Sequence, residues 1–167
     1  MAKFLLKKSY QLKDLKEISF NDLWGNKGVF TTMRLVGNKN KIVLKKNHLN
    51  NLISSTKKYK IRKKNLKKIL LSLINKSLKK NYNNHLFRIA LNKKTISISI
   101  RKRLTPKKEF KLNVFNYKRI EPKYKNLFYK QILKRLGKYD TTKYDLALCY
   151  KDKILETGTS NLLFVKN

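Results

Sequence analysis

Two side chains in the last third of the sequence could together support amine chemistry, Lys125 and Glu156. A lysine amine forms an imine with an aldehyde carbonyl, and burial favours its reactive neutral form. A carboxylate can pair with the protonated nitrogen of a bound heterocycle. Lys125 precedes Phe128 and Tyr129 by three and four residues, so on a helix all three would share the buried face. A lysine whose alkyl chain only lies along the start of a helix would give the same pattern.

The elements that must position these side chains follow from the periodicity of the apolar residues. Residues 66–74 carry apolar side chains at helical spacing, whereas isoleucines alternate with polar residues over 96–100. The pattern predicts helices over 47–58, over 66–74 and from Lys125 to a C-cap at Gly137. It predicts strands over 29–36, 39–44, 86–91, 96–100, 110–114, 146–150 and 161–165. We therefore expect an α+β fold with a mostly antiparallel sheet and helices on one face.

The strongly positive charge of the chain raises the question of whether it binds nucleic acid. The 167 residues carry a formal charge of +34, with 43 Lys and Arg residues against 9 Asp and Glu residues. Such a charge is typical of nucleic-acid-binding proteins. The basic residues are spread along the whole chain, however, and Lys and Asn are both abundant, as an AT-rich genome favours at solvent-exposed positions. We therefore expect nucleic acid to bind only non-specifically.

The remaining composition indicates a cytoplasmic protein without a metal site. The single cysteine, Cys149, excludes an internal disulfide and fits a reducing compartment. No apolar run approaches the roughly 18 residues of a membrane helix, so we expect no membrane partner. His48 and His85 have no acidic residues at metal-ligand spacing, and we assign both a structural role.

Three stretches, in order, resemble the class IV pyridoxal-phosphate enzymes, which include branched-chain and D-amino acid aminotransferases and aminodeoxychorismate lyase. Residues 25–34 (GNKGVFTTMR) are similar to the family's Gly-Asp-Gly-Val-Phe strand entry, and residues 48–52 (HLNNL) to its His-x-x-Arg-Leu helix. The third stretch is the most specific, because the spacing within it fits without gaps. It resembles the family's Lys-x-x-Asn-Tyr, Asp-Glu-Ala-Leu and Glu-Gly-x-x-Ser-Asn-Leu-Phe series at residues 125–129 (KNLFY), 144–148 (YDLAL) and 156–164 (ETGTSNLLF).

The resemblance implies a fold, a cofactor and roles for individual residues. Residues 1–120 would form the small N-terminal α/β domain of the D-amino acid aminotransferase-like fold, and residues 121–167 the start of the cofactor-binding second domain. The rest of that domain would be missing from a C-terminally truncated chain. The implied cofactor is pyridoxal 5′-phosphate. Lys125 would bond to it and shuttle protons, Glu156 would keep its ring nitrogen protonated, and Tyr129 would be a hydrogen-bonding group near it.

Thr32 indicates a subtype within the resemblance. Transaminases of the family usually carry Glu-Gly or Glu-Thr after the aromatic residue of the first strand, whereas the lyase carries Thr-Thr, as at 30–32 (FTT) here. The second threonine is thought to assist proton transfer, so Thr32 joins Lys125 as a candidate catalytic residue. The implied reaction is elimination of pyruvate from aminodeoxychorismate to give 4-aminobenzoate for folate synthesis. A class IV aminotransferase is the alternative, and the β-propensity of threonine would also explain the pair.

Asn51 marks the main departure from the family. It stands where His-x-x-Arg-Leu has the arginine that binds the cofactor phosphate, and a neutral amide there loses a charge-assisted bond of about 1.5–3 kcal/mol. Lys45 or Lys46 could partly substitute. We keep Asn51 as the phosphate-binding position and expect a chain without the second domain to bind its cofactor weakly. Intact relatives are expected to be homodimers.

A basic RNA-binding module is the alternative from another functional class. The charge and nine tyrosines that could stack on bases favour it. The sequence contains no zinc, helix-turn-helix or other recognised RNA-binding motif, which opposes it. Steep salt dependence of RNA binding with a defined site size would support this alternative.

Overall fold

The computed structural model describes residues 3–37, 39–78 and 81–165, which form two compact units. The first unit contains the chain up to residue 103 together with 122–127, and the second contains 104–121 and the residues from 128 onward. The chain enters the second unit at residue 104, returns to the first unit for 122–127, the segment that carries Lys125, and re-enters the second unit at residue 128.

A six-stranded sheet forms the framework of the first unit. Its strands are β1 (Phe4–Gln11), β2 (Glu17–Ile18), β3 (Gly28–Val36), β4 (Lys41–Ile42), β5 (His85–Asn92) and β6 (Thr95–Lys102). They follow the order β2-β1-β6-β5-β3-β4, and every neighbouring pair is antiparallel. The alternating isoleucines of β6 point to one face, where they are fully buried, because burial of that face drives the pairing.

Two helices cover this same face of the sheet, α1 (Lys45–Lys58) and α2 (Leu66–Ser77). α1 lies against β3, and the apolar stripe of α2 places Leu70 and Ile74 in the core with no exposed surface. A cavity between α2 and β1 is lined by Leu6, Tyr10 and Leu73, among others. The expected α+β class, with a mostly antiparallel sheet and helices on one face, is confirmed.

Two details of the first unit differ from the sequence prediction. The prediction assigned no element to the N-terminal residues, but β1 pairs with β6 along its whole length. Its first apolar residues form a run and do not alternate with polar ones, so the strand signal was absent. The strand expected over 39–44 is much shorter, because Leu44 adopts a left-handed conformation (φ 51°) at the start of α1.

The second unit is a three-stranded sheet with one helix. Strands β7 (Lys111–Asn116), β8 (Tyr144–Tyr150) and β9 (Lys153–Thr157) lie in the order β7-β8-β9, and α3 spans Lys130–Leu136. β7 and β8 are parallel, whereas β8 and β9 form an antiparallel hairpin. Apolar residues of α3 and β8 make a buried cluster that fixes the helix on the sheet: Ile132, Leu136, Leu146 and Leu148.

The last third of the chain holds two corrections. The helix begins at Lys130 and not at Lys125, because the preceding residues pair with β3 and cannot be helical at the same time. The strand predicted over 161–165 is wrong: these residues form no regular element, and Leu163 and Phe164 are exposed. The hairpin strand β9 precedes them instead. Among the described residues, no helix is long and apolar enough to cross a membrane.

Candidate active site

The segment that carries Lys125 lies along the start of β3 and is fixed by main-chain hydrogen bonds. The Phe30 amide donates to the Lys125 carbonyl oxygen at 2.8 Å, and the Leu127 amide donates to the Gly28 carbonyl oxygen at 3.0 Å. Asn126 forms an antiparallel bridge with Val29 between these two bonds. The segment therefore adds a short extended stretch to the sheet of the first unit.

Lys125 itself is exposed, which corrects the expectation that it faces the interior. In the extended segment the fully buried residues are Asn126 and Leu127, and Lys123, two residues before Lys125, is exposed as well. The helical spacing that predicted burial of Lys125 does not apply, since no helix forms here. Two lysine amines of this segment are thus accessible to a small carbonyl compound.

Gly28 permits the close approach of this segment to the sheet. A Cβ atom at position 28 would overlap the Leu91 carbonyl oxygen and lie 2.8 Å from Leu127 Cδ1. We predict that Gly28→Ala lowers the free energy of unfolding by about 1–3 kcal/mol, because the backbone of β5 must move to relieve the overlap. Urea unfolding checks this value, and trypsin cleavage at Lys125 should become faster. Gly137→Ala is the control, since its Cβ would lie 3.3 Å from the nearest atom, a helix carbonyl oxygen.

His48 lies near the lysine segment on the helical side of the sheet. Its Nδ1 atom is 2.9 Å from the hydroxyl of Thr31, which is buried on β3. Burial lowers the pKa of His48 below its usual 6.5, and the Lys125 ammonium lowers it further. The neutral imidazole is therefore the form that the fold prefers at neutral pH.

The depressed pKa of His48 predicts a pH dependence of stability. The folded chain binds this proton less readily than the unfolded chain, so stability rises as the pH increases through the folded pKa and levels off above about 6.5. We expect His48→Gln to reduce the loss of unfolding free energy on acidification from neutral pH. The measurement is urea unfolding across that range, with His85→Gln as the matched control. Equal acid sensitivity in both variants would contradict the prediction.

Thr32 lies on the opposite face of β3 from Thr31, because side chains alternate along a strand. Its direct partner in the β3–β5 register is Arg88. The guanidinium of Arg88 lies 3.7 Å from the centre of the Trp24 ring, and it donates a hydrogen bond to the Asp22 carbonyl oxygen. Thr32 and the Arg88 cation, which lies on an aromatic ring, are thus cross-strand neighbours on one face of the sheet.

Arg88 is a candidate functional residue that the sequence analysis missed. Its Nε atom is buried and has no hydrogen-bond partner among the described residues. Burial lowers the pKa of the guanidinium to about 10, with the nearby Arg101 acting in the same direction and Asp22 opposing it. Arg88 therefore stays charged at neutral pH while it lacks a full set of partners, which suits it to bind an anion. The only signal in the sequence was an arginine inside a predicted strand.

Asn51 lies in the middle of α1, and its side chain is exposed. It follows His48 by one helical turn, so the two residues share a flank of the helix. The side chain carries no charge, and Lys45 and Lys46 lie in the first turn of the same helix. The structure thus places the predicted phosphate position on the surface of the first unit.

Glu156 belongs to the second unit, where it pairs with Arg119 in a two-pronged salt bridge. Arg119 Nε donates to Oε1 at 2.9 Å, and Nη2 donates to Oε2 at 3.0 Å. The side chain of Arg119 is 7% exposed and that of Glu156 is 28% exposed. This geometry fixes the carboxylate in one orientation and leaves each oxygen a free lone pair. No local pattern singles out Arg119, because its partner lies 37 residues away in the sequence.

Tyr129 is packed beside the same salt bridge. Its ring centre is 5.3 Å from the Arg119 guanidinium, and its hydroxyl donates to the Gly158 carbonyl oxygen at 3.3 Å. Burial raises the pKa of Tyr129, the Arg119 charge lowers it, and Glu156 and Asp145 raise it. Tyr129 is therefore a neutral hydrogen-bond donor within a cluster that also contains Glu156.

Asp145 organises the loop that follows Glu156. Its side chain is fully buried, and its Oδ2 atom accepts bonds from the amides of Thr159 and Ser160 at 2.9 and 2.8 Å. The hydroxyls of the same two residues also donate to Oδ2, and the Leu146 amide donates to Oδ1. A single carboxylate thus holds the turn after β9, and with it the register of Glu156 on that strand.

The structure divides the predicted site residues between the two units. Lys125, Thr32 and Asn51 belong to the first unit, whereas Glu156 and Tyr129 belong to the second. Within the first unit, the charge of Lys125 acts on His48, and the Val29–Asn126 bridge sets Lys125 opposite Phe30, which shares its face of β3 with Thr32. Within the second, Glu156 and Tyr129 share Arg119 as a neighbour.

A comparison of the chain with models of protein families tests the resemblance that the motifs indicated. The family model described as amino-transferase class IV matches residues 28–167, which is most of the chain. The chain belongs to the class IV aminotransferase family. The resemblance noted in the three sequence stretches is thereby confirmed, and the match includes β3, α1, the lysine segment and the Glu156 loop. No curated protein sequence matches the chain significantly.

Solved structures of class IV aminotransferases share the fold at low sequence identity. The chain is similar to a branched-chain aminotransferase from Thermoproteus uzoniensis crystallised with norvaline (TM-score 0.65, 14% identity, 90% of this chain and 62% of that one). It is also similar to an aminotransferase from Brucella abortus bound to PLP (TM-score 0.62, 14% identity, 96% and 67%). A putative 4-amino-4-deoxychorismate lyase matches too (TM-score 0.55, 17% identity, 84% and 62%). The chain thus spans 62% of the length of the Thermoproteus enzyme.

Proposed function

We propose that this class IV protein is an aminodeoxychorismate lyase-like enzyme that uses pyridoxal 5′-phosphate to eliminate pyruvate from 4-amino-4-deoxychorismate. The observation that favours this function over a class IV aminotransferase is the pairing of Thr32 with Arg88 on one sheet face. A hydroxyl that can relay a proton beside a partly unsatisfied cation suits a substrate that loses a proton and a carboxylate-bearing group. The second product is 4-aminobenzoate.

The residues of the chain fit this cofactor in chemical type. When bound, pyridoxal phosphate supplies an electron sink that stabilises negative charge next to the substrate amine. Glu156, held in orientation by Arg119, would accept the hydrogen bond of the protonated ring nitrogen. Tyr129 would donate a hydrogen bond, and a lysine of the segment beside β3 would bond to the cofactor covalently. Asn51 supplies no charge to the phosphate, so we expect weak cofactor affinity.

Two lysines compete for the covalent role. Counted by the distance to the tyrosine in the Lys-x-x-Asn-Tyr motif, the reactive residue is Lys125, because Tyr129 follows it by four positions. Counted by the distance to the asparagine, it is Lys123, because Asn126 follows it by three. The full burial of Asn126 and its bridge to Val29 fix the segment that carries both lysines. We propose that the covalent bond forms at Lys125, with the exposed Lys123 as the alternative that labelling tests.

The chain's own residues would then carry the steps of the elimination. Arg88 would bind a carboxylate of the substrate through the terminal nitrogens of its half-buried side chain. One proton leaves the carbon that bears the amino group, with the freed lysine amine or the Thr32 hydroxyl as the relay. The ether carbon–oxygen bond then breaks, and its electron pair leaves with enolpyruvate. Uptake of one proton converts enolpyruvate to pyruvate, and the ring becomes aromatic.

Covalent labelling tests the cofactor part of this proposal. The purified chain is titrated with pyridoxal phosphate, reduced with borohydride, and digested for peptide mapping. We expect a visible absorption band and a label on Lys123 or Lys125, lost in the alanine variant of the labelled residue. Lys138→Ala is the control, because Lys138 is an exposed lysine of the second unit. Labels scattered over many surface lysines, without a band, would overturn the proposal.

Product analysis tests the choice of reaction. Aminodeoxychorismate is supplied to the loaded protein, and pyruvate and 4-aminobenzoate are quantified together. Equal amounts of the two products support the lyase, and Thr32→Val should then lower their rate of formation. Transfer of amino groups from branched-chain or D-amino acids to 2-oxoglutarate, without pyruvate release from aminodeoxychorismate, would support the aminotransferase alternative.

A substitution at Asn51 should strengthen cofactor binding. We expect Asn51→Arg to tighten pyridoxal phosphate binding about tenfold or more, since a charge-assisted bond to phosphate contributes about 1.5–3 kcal/mol. Affinity for pyridoxal, which lacks the phosphate, should stay unchanged. The measurement is the dissociation constant of each compound from the absorption titration. Asn50→Arg, on a neighbouring exposed position of α1, is the control for added charge.

A further inference from the structure

A dense cluster of positive charge lies where α1 passes into α2. Eight of the twelve residues from Lys57 to Lys68 are Lys or Arg, and all of these eight except the half-buried Lys63 are exposed. We call residues 57–68 the basic ridge. It belongs to the helical layer of the first unit, and the Thr32 and Arg88 side chains point to the other face of the sheet.

The basic ridge lies within a long stretch of sequence that contains no acidic residues. The sequence has no Asp or Glu between Asp22 and Glu109, although three acidic residues precede this stretch and six follow it. A nucleotide bias of the gene acts on the whole chain alike, so it explains the abundance of lysine but not an acid-free region in the middle. The α1–α2 layer therefore presents a positive potential that no carboxylate of its own interrupts.

The ridge is held in place by a folded turn. Tyr59 and Ile61 are buried at 2% and 4% exposure, so the basic residues between and after them point outward. The Ile61 amide donates to the Thr56 carbonyl oxygen at 3.0 Å, and the Leu66 amide donates to the Lys63 carbonyl oxygen at 3.3 Å. Lys63 Nζ also donates to the Lys13 carbonyl oxygen at 2.5 Å, which ties the turn to the β1–β2 connection. The cations are thus presented from a fixed backbone, which lowers the entropy lost on binding.

The residue types on the ridge indicate what it can recognise. The N-terminus of α2 lies within the ridge and has neither a side-chain cap nor an acidic residue in its first turn. The positive end of the helix dipole therefore adds to the positive potential of the lysines. The only aromatic residue of the ridge, Tyr59, is buried and cannot stack on an unpaired base. A surface with many cations and no stacking platform suits a regular array of phosphates whose bases are already paired.

We propose that the basic ridge binds the phosphate backbone of a nucleic-acid duplex, independently of its sequence. The charges of the ridge complement the closely spaced phosphates of a duplex, and each contact releases condensed counterions. The surface belongs to the helical layer, apart from the Thr32 and Arg88 face, so duplex binding does not depend on the proposed enzymatic function. The ridge makes this binding local to one surface, in contrast to an attraction spread over all 43 basic residues.

Two variants of equal net charge test the proposal. The ridge variant combines Lys57→Gln, Lys60→Gln, Lys64→Gln and Lys68→Gln, all at exposed positions. The control variant combines Lys111→Gln, Lys134→Gln, Lys138→Gln and Lys153→Gln, which are exposed in the second unit. Fluorescence anisotropy measures binding of each full-length chain to a DNA duplex of about 20 base pairs over a series of salt concentrations. Far-ultraviolet circular dichroism confirms that both variants fold.

The expected result is a selective loss in the ridge variant. Four lost phosphate contacts should reduce the slope of log K against log salt by about 3–4 and weaken binding at moderate salt by at least about tenfold. The control variant should lose less than about threefold. Equal losses in the two variants would overturn the proposal in favour of a diffuse charge effect. Tighter binding to phosphatidylserine vesicles or to a single-stranded oligonucleotide than to the duplex, with the same dependence on the ridge, would also overturn it.

Discussion

Asp145→Ala should lower the free energy of unfolding of the second unit by about 3–4 kcal/mol. The carboxylate has no exposed surface, and it accepts bonds from the amides of Leu146, Thr159 and Ser160. Removing it leaves the buried Leu146 amide without its acceptor and releases the turn that follows β9. Urea unfolding monitored by tyrosine fluorescence measures the change, since five of the nine tyrosines lie in the second unit and the single tryptophan, Trp24, lies in the first and reports on that unit separately.

A conservative variant separates the loss of charge from the loss of volume. Asp145→Asn keeps the size of the side chain and one acceptor oxygen for the Thr159 and Ser160 donors, but its NH₂ group would then face the Leu146 amide, which is also a donor. We expect this variant to be less stable than the parent chain and more stable than Asp145→Ala, because one donor opposite another cannot replace a carboxylate oxygen. Asp152→Asn, at an exposed turn, is the control and should change little. Full stability of Asp145→Asn would show that packing, not hydrogen bonding, holds the turn.

The same carboxylate illustrates what the sequence could predict and what it could not. Asp145 was noticed only as part of a motif, since a single aspartate before an apolar strand gives no sign of burial. Its role depends on donors 14 and 15 residues away, which local patterns do not encode. Strand β8 itself was predictable, because its apolar run is short and continuous. Local periodicity thus identified the element, and tertiary hydrogen bonding determined the function of the residue at its start.

The lysine segment shows how a correct motif can carry a wrong geometry. Spacing to Phe128 and Tyr129 predicted a helix from Lys125, but the Phe30 amide and the Val29 backbone pair with the segment instead. The intrinsic preference of these residues for a helix is small compared with several main-chain bonds to a sheet. The helix consequently starts after the segment has left the sheet. The match to the family motif holds although the helix prediction was wrong, because a motif is defined by the identity and order of residues and not by their local conformation.

The arrangement of the two threonines on β3 was predictable in part. Alternation along the strand separates the side chains of Thr31 and Thr32, and in the structure Thr31 is buried with its hydroxyl 2.9 Å from His48 Nδ1. The pairing of Thr32 with Arg88 could not be predicted, because it depends on the register between two strands that are more than 50 residues apart. Registers of this kind follow from the whole pattern of burial in the sheet and not from either strand alone.

Glu156→Gln should separate the structural role of the carboxylate from its chemical role. The substitution leaves the guanidinium of Arg119, whose side chain is 7% exposed, with one neutral acceptor in place of two charged oxygens. We expect the free energy of unfolding to fall by about 2–3 kcal/mol, because a largely buried cation loses the opposite charge of Glu156. The double variant Arg119→Met with Glu156→Gln should recover part of this stability, since the buried guanidinium is removed together with its carboxylate partner. Unfolding of the two single variants and the double variant completes the cycle.

Under the proposed function, Glu156→Gln should lower the rate of catalysis more than it lowers covalent loading of the cofactor. The covalent bond to the cofactor is made by a lysine of the first unit, so borohydride labelling of Glu156→Gln should remain close to that of the parent chain. The amide cannot hold the ring nitrogen in its protonated form, and product formation should fall about 100-fold or more, the scale of a lost general-acid partner. Tyr129→Phe, which removes a neighbouring donor and no charge, should fall less. Unchanged turnover in Glu156→Gln with intact labelling would assign Glu156 to the support of Arg119 alone.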